Sequence, residues 1–111
     1  MDINNILEKC NFKILSGNDN LNRIVKTVFC CDLLSLAISR APNDSCWLTV
    51  MGNLNTVAVA TLTDISCIVL CEGVTMDNDG LKKAQEEKIP VLCTNMPIYE
   101  TALKISEIIG K

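Results

Sequence analysis

The chain contains no histidine. The commonest general base is therefore missing, and a cysteine–histidine nucleophile pair is impossible. Aromatic residues make up only 4% of its 111 positions, and Trp47 is the single tryptophan. Trp47 reads as packing in a core or interface rather than as a platform for stacked bases. There is no basic excess either: the net charge is -3. That excludes non-specific nucleic-acid binding, which needs a basic face. Lysines and acids are mixed along the chain, so no charged tail is implied. No apolar run reaches the roughly 18 to 20 residues of a membrane span. The longest candidate, Leu54 to Leu70, is interrupted by Thr61, Thr63, Asp64 and Ser66. The opening Met1-Asp2-Ile3-Asn4-Asn5 lacks the basic start and apolar core of a signal peptide. These absences predict a cytoplasmic protein with no membrane partner.

What is present is apolar. Hydrophobic residues are 49% of the chain and charged residues 21%. Such a composition can bury a core without disulfides or metals, and the length predicts one domain spanning residues 1–111. Seven cysteines is an odd number, and their spacings match no disulfide framework. Cytosolic thiols stay reduced. Cys67 and Cys71 are four apart, about 13 Å along a strand, too far to share one ion. Cys30 and Cys31 are predicted to point to opposite faces of a strand. There is no C-x-x-C motif, so neither a metal site nor a cofactor is expected. Cys71 and Cys93, both at strand ends, could approach each other across a sheet. The plainer reading, small buried thiols, is preferred for all seven.

Three times a short apolar run breaks into a polar turn and then a helical pattern. The strand-like runs are Cys46 to Val50, Cys67 to Leu70 and Pro90 to Leu92. The turns are Met51-Gly52-Asn53, Cys71-Glu72-Gly73 and Cys93-Thr94-Asn95. This rhythm predicts an α/β fold, a small, mainly parallel sheet flanked by helices. Upstream, Asp2 to Cys10 reads as a helix with Ile3, Ile6 and Leu7 on one face. Phe12 to Leu15 reads as a strand, Ser16 to Asn20 as a turn, and Arg23 to Cys31 as a second strand. Asp32 is the expected N-cap of a helix through Arg40, with Leu33, Leu34, Ala37, Ile38 and Ala41 inward.

The helix Leu54 to Leu62 is apolar nearly all round, which means cover on both faces. Leu54, Val57, Ala58, Thr61 and Leu62 share one side, with Val59 and Ala60 on the other. A subunit interface is the natural second cover, with Leu54, Val57, Val59 and Ala60 as its candidates. In the helix from Asn78 to Lys88, Leu81 and Ala84 face inward. The last helix starts near Pro97, buries Ile98, Ala102, Ile105 and Ile109, and stops at Gly110.

Parallel α/β sheets bind ligands at the carboxyl ends of their strands. The candidate ligand-binding residues are therefore Gly52, Asn53, Glu72, Gly73, Thr94 and Asn95. Gly52 and Gly73 would let backbone approach a ligand or take a positive φ. N–H groups at the helix starts could hold an anion, with Asn53, Asp77 and Asn95 as caps competing for them. Plain turn and cap chemistry accounts for the same residues and is the more economical reading. Neither GxGxxG nor a Walker loop is present. Glu72 and Asp77 could coordinate Mg²⁺, but a solvated loop explains them as well. Glu100 near the start of the last helix suits the helix dipole without any ligand.

From Asp32 to Gly110 the chain resembles the DRTGG domain. The resemblance is carried by Asp32-Leu33-Leu34-Ser35 and by Trp47-Leu48-Thr49-Val50 with the turn Gly52-Asn53. It is carried also by the helix Asn55 to Leu62 and by Ile89-Pro90-Val91-Leu92, followed by Thr94 and Tyr99-Glu100-Thr101-Ala102. With the lead-in from Ile14 it covers most of the chain and looks closest to small stand-alone members. The resemblance implies a three-layer α/β module of the kind found inside phosphate acetyltransferases and CBS-containing pyrophosphatases. A similar fold forms the N-terminal part of HPr kinases. It also implies a regulatory or oligomerising role, not a catalytic one. The motif that names the family is altered here. Its aspartate–arginine pair falls at Asn53 and Leu54, and its threonine-glycine-glycine at Cys71, Glu72 and Gly73. Losing the arginine removes a phosphate fork, and Glu72 adds a charge that repels phosphate. The expected function is a non-enzymatic regulatory module acting as a homodimer. The alternative is a small-ligand sensor for a nucleotide or metabolite, using the strand-end turns. A thiol-redox enzyme would require a lowered thiol pKa at Cys71 or Cys93.

Overall fold

The computed structural model describes residues 1–110. Five strands form one sheet: β1 (Lys13–Ser16), β2 (Thr27–Cys30), β3 (Ser45–Thr49), β4 (Cys67–Leu70) and β5 (Val91–Cys93). Five helices flank it: α1 (Ile3–Lys9), α2 (Leu34–Arg40), α3 (Leu54–Leu62), α4 (Asn78–Glu86) and α5 (Ile98–Ile109). The strand order is β1-β5-β4-β3-β2. β2 to β5 are parallel neighbours, and β1 closes one edge antiparallel to β5. Every residue of β3 and β4 is buried. An unbroken apolar run, rather than alternation, is what a parallel sheet covered on both faces requires.

The two faces have separate cores. On one, Ala37 of α2, Val57 and Ala60 of α3, and Ala84 of α4 pack on Trp47, Ile68, Leu70 and Val91. On the other, Ile3 and Ile6 of α1 and Ile105 of α5 pack on Cys46, Leu48, Cys67, Val69 and Leu92. Consecutive parallel strands joined by right-handed crossovers must put their helices on the same side. α2, α3 and α4 obey this, and α5 crosses back over β2 and β3 on the far side. The parallel strands run in sequential order with no reversal among them. The crevice that forms where strand order reverses in open α/β sheets is therefore missing here.

Local chemistry explains most boundaries. Asn53 Oδ1 accepts from Thr56 N at 3.1 Å and Asp77 Oδ1 from Gly80 N at 2.7 Å, capping α3 and α4. Asp2 and Asn5 form a reciprocal capping box on α1. Gly110 takes φ 78 and ends α5. Three expectations need correction. Asp32 does not cap α2, which starts after Leu33 without a side-chain cap. Asn95 does not cap α5, whose N-cap is Pro97. The Arg23–Cys31 strand is shorter: only Thr27–Cys30 joins the sheet, and Ile24 makes an isolated bridge to Asp2. The expected inward stripe of α2 is also narrower: only Ala37 is fully buried, while Ile38 and the N-cap Leu33 face solvent. Among the described residues no helix is long and apolar enough to cross a membrane.

Candidate functional site at the carboxyl edge of the sheet

The fold brings the three turns to one edge. Gly52 O accepts from Asp77 N at 2.9 Å, tying the turn after β3 to the loop before α4. Glu72 N donates to Met96 O and Gly73 N to Thr94 O, both at 3.0 Å, tying the turn after β4 to the one after β5. Thr94 N donates to Leu70 O, and Met96 N to Thr94 Oγ1. The N–H groups of Glu72, Gly73, Thr94 and Met96 are thus engaged within the protein. Glu72, Gly73 and Asn95 remain exposed, and Gly52, Asn53 and Thr94 are half-buried.

Glycine is needed here for two different reasons. Gly73 has φ +77, and the Glu72 before it has φ 61. Two successive left-handed residues reverse the chain, at a cost of roughly 1–2 kcal/mol for a residue with a Cβ. The family's glycine pair would make this turn without strain, so Glu72 is held here against its preference. Gly52 is not in the left-handed region, but a Cβ on it would lie 2.1 Å from Thr75 O.

Asp32 contributes to this edge in a way that sequence reading missed. Its Oδ1 accepts from Thr49 Oγ1 at 2.6 Å and from Val50 N at 3.0 Å. It therefore fixes the end of β3 instead of starting α2. Its local pattern is that of an N-cap, so only the tertiary fold distinguishes the two roles.

The cysteines form no chelating set, and no group of three or more candidate metal ligands occurs among the described residues. Leu70, not Cys71, is the register partner of Cys93. Cys71 therefore lies in the α1/α5 core while Cys93 packs against the opposite one, which corrects the expected approach of the two. The close pair is Cys46 and Cys67, in register on β3 and β4, with sulfurs 3.6 Å apart. The hydrogen bond shared with Cys67 and complete burial hold the Cys46 thiol well above its ordinary range. Burial pushes Cys71 up to about 11, with Cys30, Glu72 and Asp32 adding to the effect and Thr101 opposing it. Burial also raises Cys93, against the opposing charge of Lys13. None of these is an activated thiolate. A thiol whose folded pKa exceeds its unfolded value favours the folded state fully below the unfolded value of 9.0. That preference is lost as pH rises through the folded value, about 11 for Cys71. The thermal midpoint should fall progressively over this window, and Cys71→Ser should flatten the decline. An unchanged slope in that variant would remove Cys71 as a cause.

The DRTGG domain family matches residues 5–108. The chain therefore belongs to the DRTGG domain family. Among solved structures it is similar to the CBS and DRTGG domains of the regulatory region of Clostridium perfringens pyrophosphatase, complexed with the activator diadenosine tetraphosphate. The identity is 13% and the TM-score 0.74, over 96% of this chain and 45% of that one. The chain spans less than half the length of that structure, and at this identity the likeness establishes the fold. Among curated proteins nothing matches.

The candidate interface residues divide. Val57, Val59 and Ala60 are buried in the protein's own core, while Leu54 is 40% exposed. The outward face of α3 instead carries Leu54, Ala58 and Leu62, at i, i+4 and i+8.

Proposed function

We propose that this chain is a non-enzymatic regulatory module that acts as a homodimer through α3. The observation that carries this reading is the outward stripe of Leu54, half-buried Ala58 and Leu62, the last 73% exposed. The opposite side of the same helix already fills the core, and α3 contains no charged residue. Charge depletion marks the centre of protein interfaces. Small Ala58 in mid-stripe lets two copies of the helix approach closely about a two-fold axis. Family membership and the likeness to a pyrophosphatase regulatory region support the regulatory part. The absence of histidine and the raised thiols support the non-enzymatic part.

Sedimentation velocity at micromolar concentration tests it. The native chain should sediment as a dimer. Ala58→Glu combined with Leu62→Glu should sediment as a monomer with an unchanged circular dichroism spectrum. A native monomer would overturn the reading.

A second reading, a small-ligand sensor, draws on the dinucleotide bound in the similar structure. Its site would be the carboxyl edge, with Asn53, Thr94 and Asn95 providing side-chain contacts beside Gly52 and Gly73. The exposed Glu72, and the engaged N–H groups of Glu72, Gly73 and Thr94, weigh against a ligand held mainly by phosphates at the turns after β4 and β5. Repeating the sedimentation with diadenosine tetraphosphate separates the two readings. A saturable change in sedimentation or thermal midpoint supports the sensor, and an unchanged dimer leaves the first account alone.

A further inference from the structure

At the opposite, amino-terminal edge of the parallel strands lies a cleft of about 170 Å³. Its walls are the last turn of α3, the segment leading into β4, the turn from α4 into β5, and the β1–β2 connection. We infer that this cleft binds a small zwitterion of the amino-acid class with a short aliphatic side chain.

The charges argue for net neutrality. Arg23 lines the cleft with its side chain 29% exposed, and its Nη2 is held by Asp64 at 2.9 Å and Asp44 at 3.6 Å. Lys88 faces Asp19 at 3.8 Å, and Glu87 is paired with Lys83 at 3.2 Å. Each charged group on the wall already has a partner of opposite sign. A polyphosphate would bring several uncompensated charges to a wall whose cations, Arg23 and Lys88, are already paired. A ligand carrying one positive and one negative group adds none.

The hydrogen-bonding capacity argues for both signs in one molecule. Thr61 Oγ1 donates to Ala58 O at 2.6 Å, Thr63 Oγ1 to Val59 O at 3.2 Å, and Ser66 Oγ to Ile24 O. These hydroxyls have spent their protons on backbone carbonyls, so they present only lone pairs. With the negative end of the α3 dipole beside them, they suit an ammonium group. Arg23 and Lys88 can only donate. The guanidinium bonds that the protein makes all leave from Nη2, so its remaining N–H groups suit a carboxylate. Ala60, Ile65 and Pro90 add apolar surface between the polar walls. The volume is comparable to the roughly 150 Å³ cavity that holds a benzene ring, which sets the side chain at a short aliphatic one.

The test is a titration of the ¹⁵N-labelled full chain with free amino acids, followed by amide NMR shifts. The same titrations are run with N-acetylated forms, which lack the ammonium, and with the parent amines, which lack the carboxylate. Two variants probe the cations. Arg23→Gln removes the guanidinium. Lys88→Gly removes the ammonium at a residue with φ 56, where glycine relieves strain rather than harming the fold. At least one small aliphatic amino acid should give saturable shifts at Ile65, Ser66 and Ile89. Both variants and both half-ligands should bind about tenfold more weakly, the loss of one charge-assisted hydrogen bond. The inference is overturned if no amino acid gives saturable shifts there, or if a half-ligand binds as well as the whole. It is overturned equally by Lys88→Gly and Arg23→Gln binding like the native chain. Shifts confined to Gly52, Gly73 and Asn95 would also overturn it, and would favour the carboxyl-edge sensor.

Discussion

Replacing Trp47 with alanine is expected to lower the unfolding free energy by about 3–5 kcal/mol, the range for deleting a large aromatic from a packed core. Trp47 is fully buried in β3, between β2 and β4. Its ring belongs to the core beneath α2, α3 and α4, where interiors are packed too tightly to collapse around so large a void. Its Nε1 also donates to Cys31 O at 2.9 Å, just beyond β2. That bond secures the edge strand to its neighbour past the last ladder pair, so the variant loses packing and an edge clamp together. Trp47→Phe separates them. It keeps most of the ring contact and loses only the bond, which should cost about 1–2 kcal/mol. Urea unfolding followed by circular dichroism measures both. A loss below 1 kcal/mol for Trp47→Ala would contradict the packing described. Because domains of this size hold only about 5–15 kcal/mol in total, the alanine variant loses a large fraction of its stability.

The same residue shows what the sequence made legible. A lone tryptophan inside a short apolar run, followed by a polar turn, reads as core, and the structure places it there. The strand Cys67–Leu70 and the helix Leu54–Leu62 were readable to the residue, because turn and cap residues bracket them: Asn53, then Thr63 and Asp64, then Glu72 and Gly73. The inward side of α3 was not readable. A helix apolar all round has no stripe for periodicity to find, so only the position of its neighbours assigns Val57 and Ala60 to the core and Leu62 to solvent. Cys71 and Cys93 failed for a related reason. Side chains alternate along strands, so a register offset of one residue sends two strand-end thiols to opposite faces. The amino-edge cleft left no local pattern at all. It is assembled from Arg23, the Thr61–Ser66 stretch and Lys88, three separate parts of the sequence that meet only where two helices end.

Gly52→Ala is the second large effect expected, and it bears on which residues at the carboxyl edge are free to serve a ligand. The new Cβ would sit 2.1 Å from Thr75 O and 2.9 Å from Thr75 C. Both are backbone atoms, so no rotamer change relieves the clash. The loop from Glu72 to Asp77 would have to withdraw, breaking the bond from Asp77 N to Gly52 O and disturbing the cap that Asp77 places on α4. Overpacking of this kind costs about 1–3 kcal/mol, and the lost cap adds about 1 kcal/mol. Gly73→Ala differs in cause and size. Its new Cβ meets only Asn95 Oδ1 at 3.2 Å, a side-chain atom able to swing away. What remains is the strain of φ +77, roughly 1–2 kcal/mol. Thermal unfolding should therefore rank the variants native, Gly73→Ala, then Gly52→Ala. A Gly52→Ala protein as stable as the native one would mean that the Thr75 loop opens freely. In that case the turn after β3 is a movable wall rather than a fixed support. If the ranking holds, Gly52 and the left-handed turn at Gly73 are framework, and the side chains of Asn53, Glu72, Thr94 and Asn95 are the groups of this edge that can be replaced without moving it. Substitutions there, which leave the backbone ties between the three turns in place, are then the ones whose effect on binding can be interpreted.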